Sequence, residues 1–291
     1  MFSTLRLALA FTLVAPALAA QQKLKVYITS DMEGIAGIVS FAQGGGSDYE
    51  WARPLMLAEV NAAIGAAFDA GATEVVVNDG HGSHTNLRAD QIDRRATLIS
   101  GRPTPLGMIE GIDASFDAAM FIGFHGNANQ IDAVIGHTYT LALRHVRLNG
   151  REVGEYGTAG MVAGYYKVPV VFVSGDKAFA EEARRFFPGV EALAVKEGIG
   201  FSAAKTMHPL VARERIAAGV KAGLARRKEI APVSISAPIT LEIELSNASY
   251  ADNAMFVPGM ERVDGVTVRY RAPDAVAAYK MSRLISMLAR D

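Results

Sequence analysis

The stretch Val26-Tyr27-Ile28-Thr29-Ser30-Asp31-Met32-Glu33-Gly34 runs from apolar, strand-forming residues into two carboxylates one residue apart. Alternate residues of a strand share a face, so Asp31 and Glu33 point the same way. Like charges held that close repel unless protons or cations lie between them. A strand that delivers such a pair at its C-terminal end suits an open α/β sheet, where functional groups gather at strand ends. This segment alone leaves two readings, a metal site or a turn with solvated acids.

The same rhythm recurs. Glu74 to Val77 leads into Asn78-Asp79-Gly80-His81, and Ala118 to Gly123 leads into Phe124-His125-Gly126. Thr97 to Ser100 reads as a further short strand, and Val168 to Val173 as one buried on both faces, ending at Ser174-Gly175-Asp176. Pro54 suits a helix first turn, with an apolar face over Leu55 to Ala70, and a small-residue helix is expected over Thr158 to Tyr166. Alternating strands, polar clusters and helices predict an α/β fold, a three-layer sandwich on a mostly parallel sheet. Asn149-Gly150 interrupts it with the strongest short hairpin signal. The Gly44-Gly45-Gly46 run lacks the Lys-Ser/Thr of a phosphate loop and reads as a mobile loop beside the site.

Beyond Pro188 the pattern changes. Ile216, Val220 and Leu224 form a core-facing helical stripe, and Ile239, Leu241, Ile243 and Leu245 alternate as a half-buried strand. Val263 to Tyr270 reads as a strand, and Asp274 as the cap of a last amphipathic helix presenting Met281, Leu284 and Leu288. The expected division is a metal-binding α/β domain over 21–190 and a smaller α+β domain over 191–291.

Residues 1–20 have the form of a cleavable signal peptide: Arg6, an apolar Leu7 to Ala15 and a small-x-small Ala17-Leu18-Ala19. The apolar run falls short of the roughly 18 residues a membrane span requires, so a secreted or periplasmic protein without stable membrane insertion is expected. A net charge of -1 with 8% aromatics argues against a nucleic-acid partner. The chain has no cysteine, so a metal would have to use histidine and carboxylate.

Six histidines make the candidates countable. His81 and His125 follow predicted strand ends, as Asp31 and Glu33 do, and Glu155 lies between two glycines in Val153-Gly154-Glu155-Tyr156-Gly157. Two histidines and three carboxylates suit a pair of divalent ions with one carboxylate between them. Imidazole with carboxylate favours Zn2+, with Mn2+, Co2+ or Fe2+ as alternatives.

Ser30-Asp31-Met32-Glu33-Gly34, Val77-Asn78-Asp79 with His81, Gly123-Phe124-His125, His137-Thr138 and Val153-Gly154-Glu155 together resemble the bacterial zinc D-aminopeptidases of the DppA type. That family is also known as dipeptide transport protein. The resemblance covers essentially the whole mature chain. It implies an aminopeptidase with two Zn2+ per chain, acting on short peptides or amides with an N-terminal D-residue, such as D-Ala-D-Ala. Carried over residue by residue, Asp31 bridges the metals, Glu33 and His81 complete one site, and His125 and Glu155 the other. His137 takes the place of the catalytic histidine, assisting a metal-bridging water. Family members resemble ring-shaped homo-oligomers, and export would bring such an enzyme to peptidoglycan peptides.

Other motifs read as incidental. Ser202-Ala203-Ala204-Lys205 has the S-x-x-K pattern of serine acyl-enzymes but lacks the partner motifs. His84 and His145 are expected on the surface, and His208 before a helix in a structural role. Asp79 could orient His81, and Asp176 could do the same for a neighbour or cap a helix. Asn247-Ala248-Ser249 is a glycosylation sequon. Two alternatives to the aminopeptidase stand beside it: an exported, non-catalytic peptide-binding protein, and an amidase or esterase on the same scaffold.

Overall fold

A computed structural model describes residues 23–289, so the expected signal peptide over 1–20 lies outside the described residues. In chain order the strands are β1 (Lys25–Ser30), β2 (Glu74–Asp79), β3 (Thr97–Ile99), β4 (Ala118–Phe124), β5 (Leu143–Leu148), β6 (Arg151–Glu152), β7 (Val170–Asp176), β8 (Glu191–Gly200), β9 (Ala203–Thr206), β10 (Ile239–Leu245), β11 (Met260–Arg262) and β12 (Thr267–Ala272). The helices are α1 (Phe41–Gly45), α2 (Tyr49–Asp69), α3 (Glu155–Tyr165), α4 (Lys177–Phe186), α5 (Pro209–Ala225), α6 (Ala248–Ala254) and α7 (Ala275–Leu288).

The main sheet has the order β3-β2-β1-β4-β7-β8-β9, parallel throughout except for β9 at its edge. Its central strands are buried on both faces, and their alternation sorts side chains between two cores. Val26 and Ile28 pack with α2 and α5, while Tyr27 faces a second core shared with α3, α4 and α7. The expected α/β architecture, with helices on both faces of a mostly parallel sheet, is what forms. Outside the second helical layer lies an antiparallel sheet ordered β11-β12-β10-β5-β6. Ile239, Leu241, Ile243 and Leu245 turn inward from it as their alternation predicts.

The two sheets interleave along the chain. β8, β9 and α5 lie beyond residue 190 yet extend the main sheet and its helical layer, whereas β5 and β6 precede it and belong to the second sheet. The expected division at residue 190 is therefore not a division between sheets.

Local departures have local causes. α2 starts at Tyr49 rather than at Pro54, because near a helix start proline forfeits only one backbone bond, here to the exposed Glu50. Residues 41–45 form a short helix rather than a loop, with Gln43 Oε1 accepting from the Val39 and Ser40 amides. The strand expected over Val263 to Tyr270 is broken by a turn in which Asp264 Oδ1 accepts from the Val266 and Thr267 amides. Asp274 caps α7 as expected, but Leu284 is exposed, and Ala278, Tyr279, Ser282 and Ile285 face inward instead. Met281 and Leu288 pack against the same core from its edge, and α7 is in contact with α3. No helix among the described residues is long and apolar enough to cross a membrane.

Candidate metal centre

The strand order reverses between β1 and β4, which leaves a crevice at their C-terminal ends, the place where open α/β sheets bind ligands. The chain crosses that crevice closely. Asp31 N donates to Ile122 O at 2.8 Å and Gly34 N to Gly123 O at 2.7 Å, extending the β1–β4 pairing past the strand ends. Gly34 permits this approach, since a Cβ there would lie 1.8 Å from the Phe124 carbonyl oxygen. Gly123 adopts φ +77°, a conformation that favours glycine.

Six predicted residues converge on the crevice. Asp31 presents its two oxygens to different histidines, Oδ1 at 3.1 Å from His81 Nδ1 and Oδ2 at 3.5 Å from His125 Nε2. Glu33 Oε2 stands 2.9 Å from His81 Nδ1, and Glu155 Oε1 stands 4.0 Å from His125 Nε2 and 3.5 Å from His137 Nε2. The His125 and His137 rings stack at 4.3 Å with an interplanar angle of 11°.

Each imidazole is anchored through its other nitrogen. His81 Nε2–H donates to Gly44 O at 2.5 Å, His125 Nδ1–H to Gly126 O at 2.9 Å and His137 Nδ1–H to Ile135 O at 2.7 Å. These bonds fix tautomers that turn an unprotonated nitrogen toward the carboxylates, as metal-binding histidines require. Gly44 thus gives the glycine run a place in the site, with its carbonyl against the His81 ring. At the other side, Glu155 opens α3 and accepts from the Tyr139 amide.

The donors suit a cation. Asp31 Oδ2, Glu33 Oε2 and His125 Nε2 are buried without a hydrogen bond, an arrangement that is costly unless a cation completes it. The atoms of Asp31, Glu33 and His125 lie within 4.8 Å of one another, and so do those of His125, His137 and Glu155. Burial, then the neighbouring Glu33, pushes the Asp31 carboxyl up to about 7. Burial opposes a charge on His125, but Glu155, Asp31 and Glu33 outweigh it and raise the ring to about 9. The cluster without a metal therefore draws protons onto its histidines to offset its own negative charge.

Residues 24–284 match the peptidase family M55, described as D-aminopeptidase. The chain belongs to that family. It is 37% identical over 269 residues to the D-aminopeptidase of Bacillus subtilis strain 168, spanning 91% of this chain and 98% of that protein. Its structure superposes with a TM-score of 0.89 and 36% identity on one described as "Zn-dependent D-aminopeptidase DppA from Bacillus subtilis, a self-compartmentalizing protease", covering 91% of this chain and 98% of that one. As an M55 member the chain is a metallo-aminopeptidase, and the reading as a non-catalytic binder falls.

Around the M55 centre, several polar residues do work that the sequence assigned otherwise. Asp79 does not touch the His81 ring; it accepts from the Asn86 and Leu87 amides, and Asn86 Nδ2 donates in turn to the His81 carbonyl at 2.7 Å. Asp176 caps α4 by accepting from Phe179 N and also accepts from Gly126 N and Val134 N, steadying the segments that carry His125 and His137. His84 is buried rather than on the surface, at 2% exposure. His145 is half-buried between Glu152 and Glu244. His208 caps α5, as a structural role requires, and Asn247 of the sequon caps α6. Ser202 is exposed at the β8–β9 turn and Lys205 is exposed on β9.

Three buried acidic or basic groups escaped sequence reading: Lys196, Glu59 and Glu182, the last of which accepts from the Asn127 amide and Nδ2 beside His125. Lys196 on β8 donates through Nζ to the carbonyls of Glu33, Ile35 and Ile38, and Glu59 on α2 accepts from the Ala36 amide at 2.9 Å. Together they hold the loop that follows Asp31. Lys196→Met leaves three buried carbonyls without their donor and is expected to cost about 3–5 kcal/mol in the metal-free protein. Urea unfolding measures it; a midpoint equal to that of the parent would refute the role.

Burial raises Glu59 from 4.5 to about 7, with the Ala36 amide and Lys196 offsetting part of the effect. The folded state then binds this proton more tightly than the unfolded chain. Its stabilisation is fully present below about pH 4.5 and is lost as pH rises through about 7, by about 3 kcal/mol. Glu59→Gln should flatten that part of the stability profile, as read from urea midpoints at pH 5 and pH 8. A profile unchanged by the substitution would assign the pH dependence to other groups.

Proposed function

We propose that the chain is a di-zinc aminopeptidase that hydrolyses short peptides or amides bearing an N-terminal D-amino acid. The observation that supports it most is Asp31, whose two oxygens face His81 and His125 separately, as a carboxylate shared between two ions must. Glu33 and His81 would complete one zinc site and Glu155 and His125 the other. Two zinc ions held there would supply Lewis acidity, lowering the pKa of a water and polarising the scissile carbonyl.

His137 is the general base in this reading. By distance alone it could count as a ligand, since it lies within the Glu155 cluster. Its match to the catalytic histidine of the family motif argues for the other role. Like His81 it lines the open cavity, within reach of a bound substrate, whereas His125 lies behind it at 2% exposure. Burial, then the stacked His125, also holds His137 below its usual range, leaving Nε2 free to accept a proton near neutral pH. His137 takes the proton of the attacking water and returns it to the leaving amine as the C–N bond breaks.

Zn-dependence in the Bacillus relative favours zinc here, and its self-compartmentalizing assembly favours a homo-oligomer, with the ring expected from the resemblance. Residues 1–20 support export of the mature enzyme. The deciding experiment is a hydrolysis screen of D- and L-aminoacyl amides and dipeptides, before and after chelation. Two zinc ions per chain, turnover of D-Ala-D-Ala and loss of activity on chelation are expected. Fewer than one bound ion per chain, or full activity without metal, refutes the reading. Light scattering reports the assembly, and N-terminal sequencing of the protein recovered after export reports cleavage.

A further inference from the structure

The cavity that reaches the metal centre has a volume of about 450 Å³, near the small end for ligand sites. Its lining is electrically divided. Asp31, Glu33 and Glu155 contribute carboxylates, each paired with histidine, whereas Arg102 and Arg283 contribute guanidinium groups. Among the described residues neither guanidinium forms an ion pair or donates a hydrogen bond. Arg283 lies over the Tyr139 ring, at 4.9 Å from its centroid.

Two further polar groups of the lining are buried and unsatisfied. His84 Nδ1 and Thr104 Oγ1 have no hydrogen-bond partner, and neither does Tyr279 Oη next to them. Gly107 keeps this place open: a Cβ there would lie 3.2 Å from both Arg283 Nε and Tyr279 Oη. His84, Arg102 and Arg283 line the same cavity; burial, then Arg283 and Arg102, depresses the His84 pKa to about 4 and keeps the imidazole neutral. Unpaired guanidinium groups with unsatisfied donors beside them form a receptor for a carboxylate.

We propose that Arg283 and Arg102, with His84 and Thr104, form a subsite that binds the C-terminal α-carboxylate of the substrate. The inference rests on the aminopeptidase reading and deepens it. A dipeptide carries its amine and its carboxylate about 7 Å apart along an extended chain, and a cavity with acidic and basic regions matches that zwitterion. The subsite makes the enzyme prefer dipeptides with a free C-terminus over amides and over longer chains, whose carboxylates fall elsewhere.

The test compares the zinc-loaded enzyme on D-Ala-D-Ala and on D-Ala-D-Ala amide. The parent should favour the free acid by about 100-fold in kcat/KM, the worth of a charged, bidentate contact. Arg283→Met should reduce that acid-to-amide ratio to about threefold, and Arg283→Lys should restore part of it. Arg102→Gln should lower the ratio as well. Equal treatment of acid and amide by the parent, or an equal loss on both in Arg283→Met, overturns the subsite.

A second readout is calorimetric binding of a phosphinate analogue of D-Ala-D-Ala and of its C-terminal amide. The acid should bind the parent about 100-fold more tightly, and the difference should vanish in Arg283→Met. Hydrolysis of neither peptide would refute the peptidase reading, while the binding ratio would still decide the subsite. Identical affinities for the two analogues would remove it.

Discussion

Asp31→Ala is expected to abolish binding of both zinc ions and to lower kcat/KM by about 10,000-fold or more. Among the described residues it is the Asp31 carboxylate that approaches both metal-side histidines within 3.5 Å, at 3.1 Å from His81 and 3.5 Å from His125. Loss of Glu33 would leave the His125 side intact, and loss of Glu155 the His81 side. Loss of Asp31 spares neither. The variant should nevertheless fold. Burial and Glu33 raise the Asp31 pKa to about 7, so its ionised form strains the metal-free protein near neutral pH. Metal-free Asp31→Ala should therefore be at least as stable as the metal-free parent. Added zinc should raise the Tm of the parent and not that of the variant, because only binding to the folded state stabilises it. Elemental analysis and paired thermal scans read both effects. Two tightly held ions in Asp31→Ala would refute the shared carboxylate.

His137→Ala should separate binding from turnover. With the ligand set intact, its zinc content is expected to match that of the parent, while kcat falls by about 100- to 10,000-fold, the usual contribution of a positioned base. His137 shares Glu155 with His125, at 3.5 Å against 4.0 Å, so a ligand role makes the opposite prediction. If one ion is lost, His137 is a ligand. The pH profile adds a signature: activity in the parent should fall on the acid side as His137 takes up a proton, and that limb should disappear in the variant's residual activity.

Much of the fold could be read from the chain because each main-sheet strand announces itself. Val26 to Ile28, Val75 to Val77 and Ala118 to Phe124 are continuous apolar runs, the composition of a strand buried on both faces. Their polar ends name the site candidates. The hairpin is equally legible, since Asn149 and Gly150 both adopt positive φ, at 49° and 80°, as a two-residue turn requires. Legibility fails where residue type and environment disagree. Lys196 belongs to the type least often buried, and its acceptors lie 163, 161 and 158 positions away. His84 is enclosed by a cavity wall that includes Arg283, far along the chain. On α7 the expected stripe holds for Met281 and Leu288, which pack against the core, and fails at Leu284, which is exposed.

The sequence by itself determined the parallel α/β class, the strand ends on which the acids and histidines ride, and the family to which their motifs point. Side-chain periodicity and turn chemistry are local, so a linear reading reaches them. The tertiary structure alone decided that β1 lies beside β4, and hence that Asp31 sits between His81 and His125. It also decided that unpaired arginines share the cavity with the acids. Strand order is set by which helical faces bury against which side of the sheet, a sum over many distant contacts that no single segment encodes.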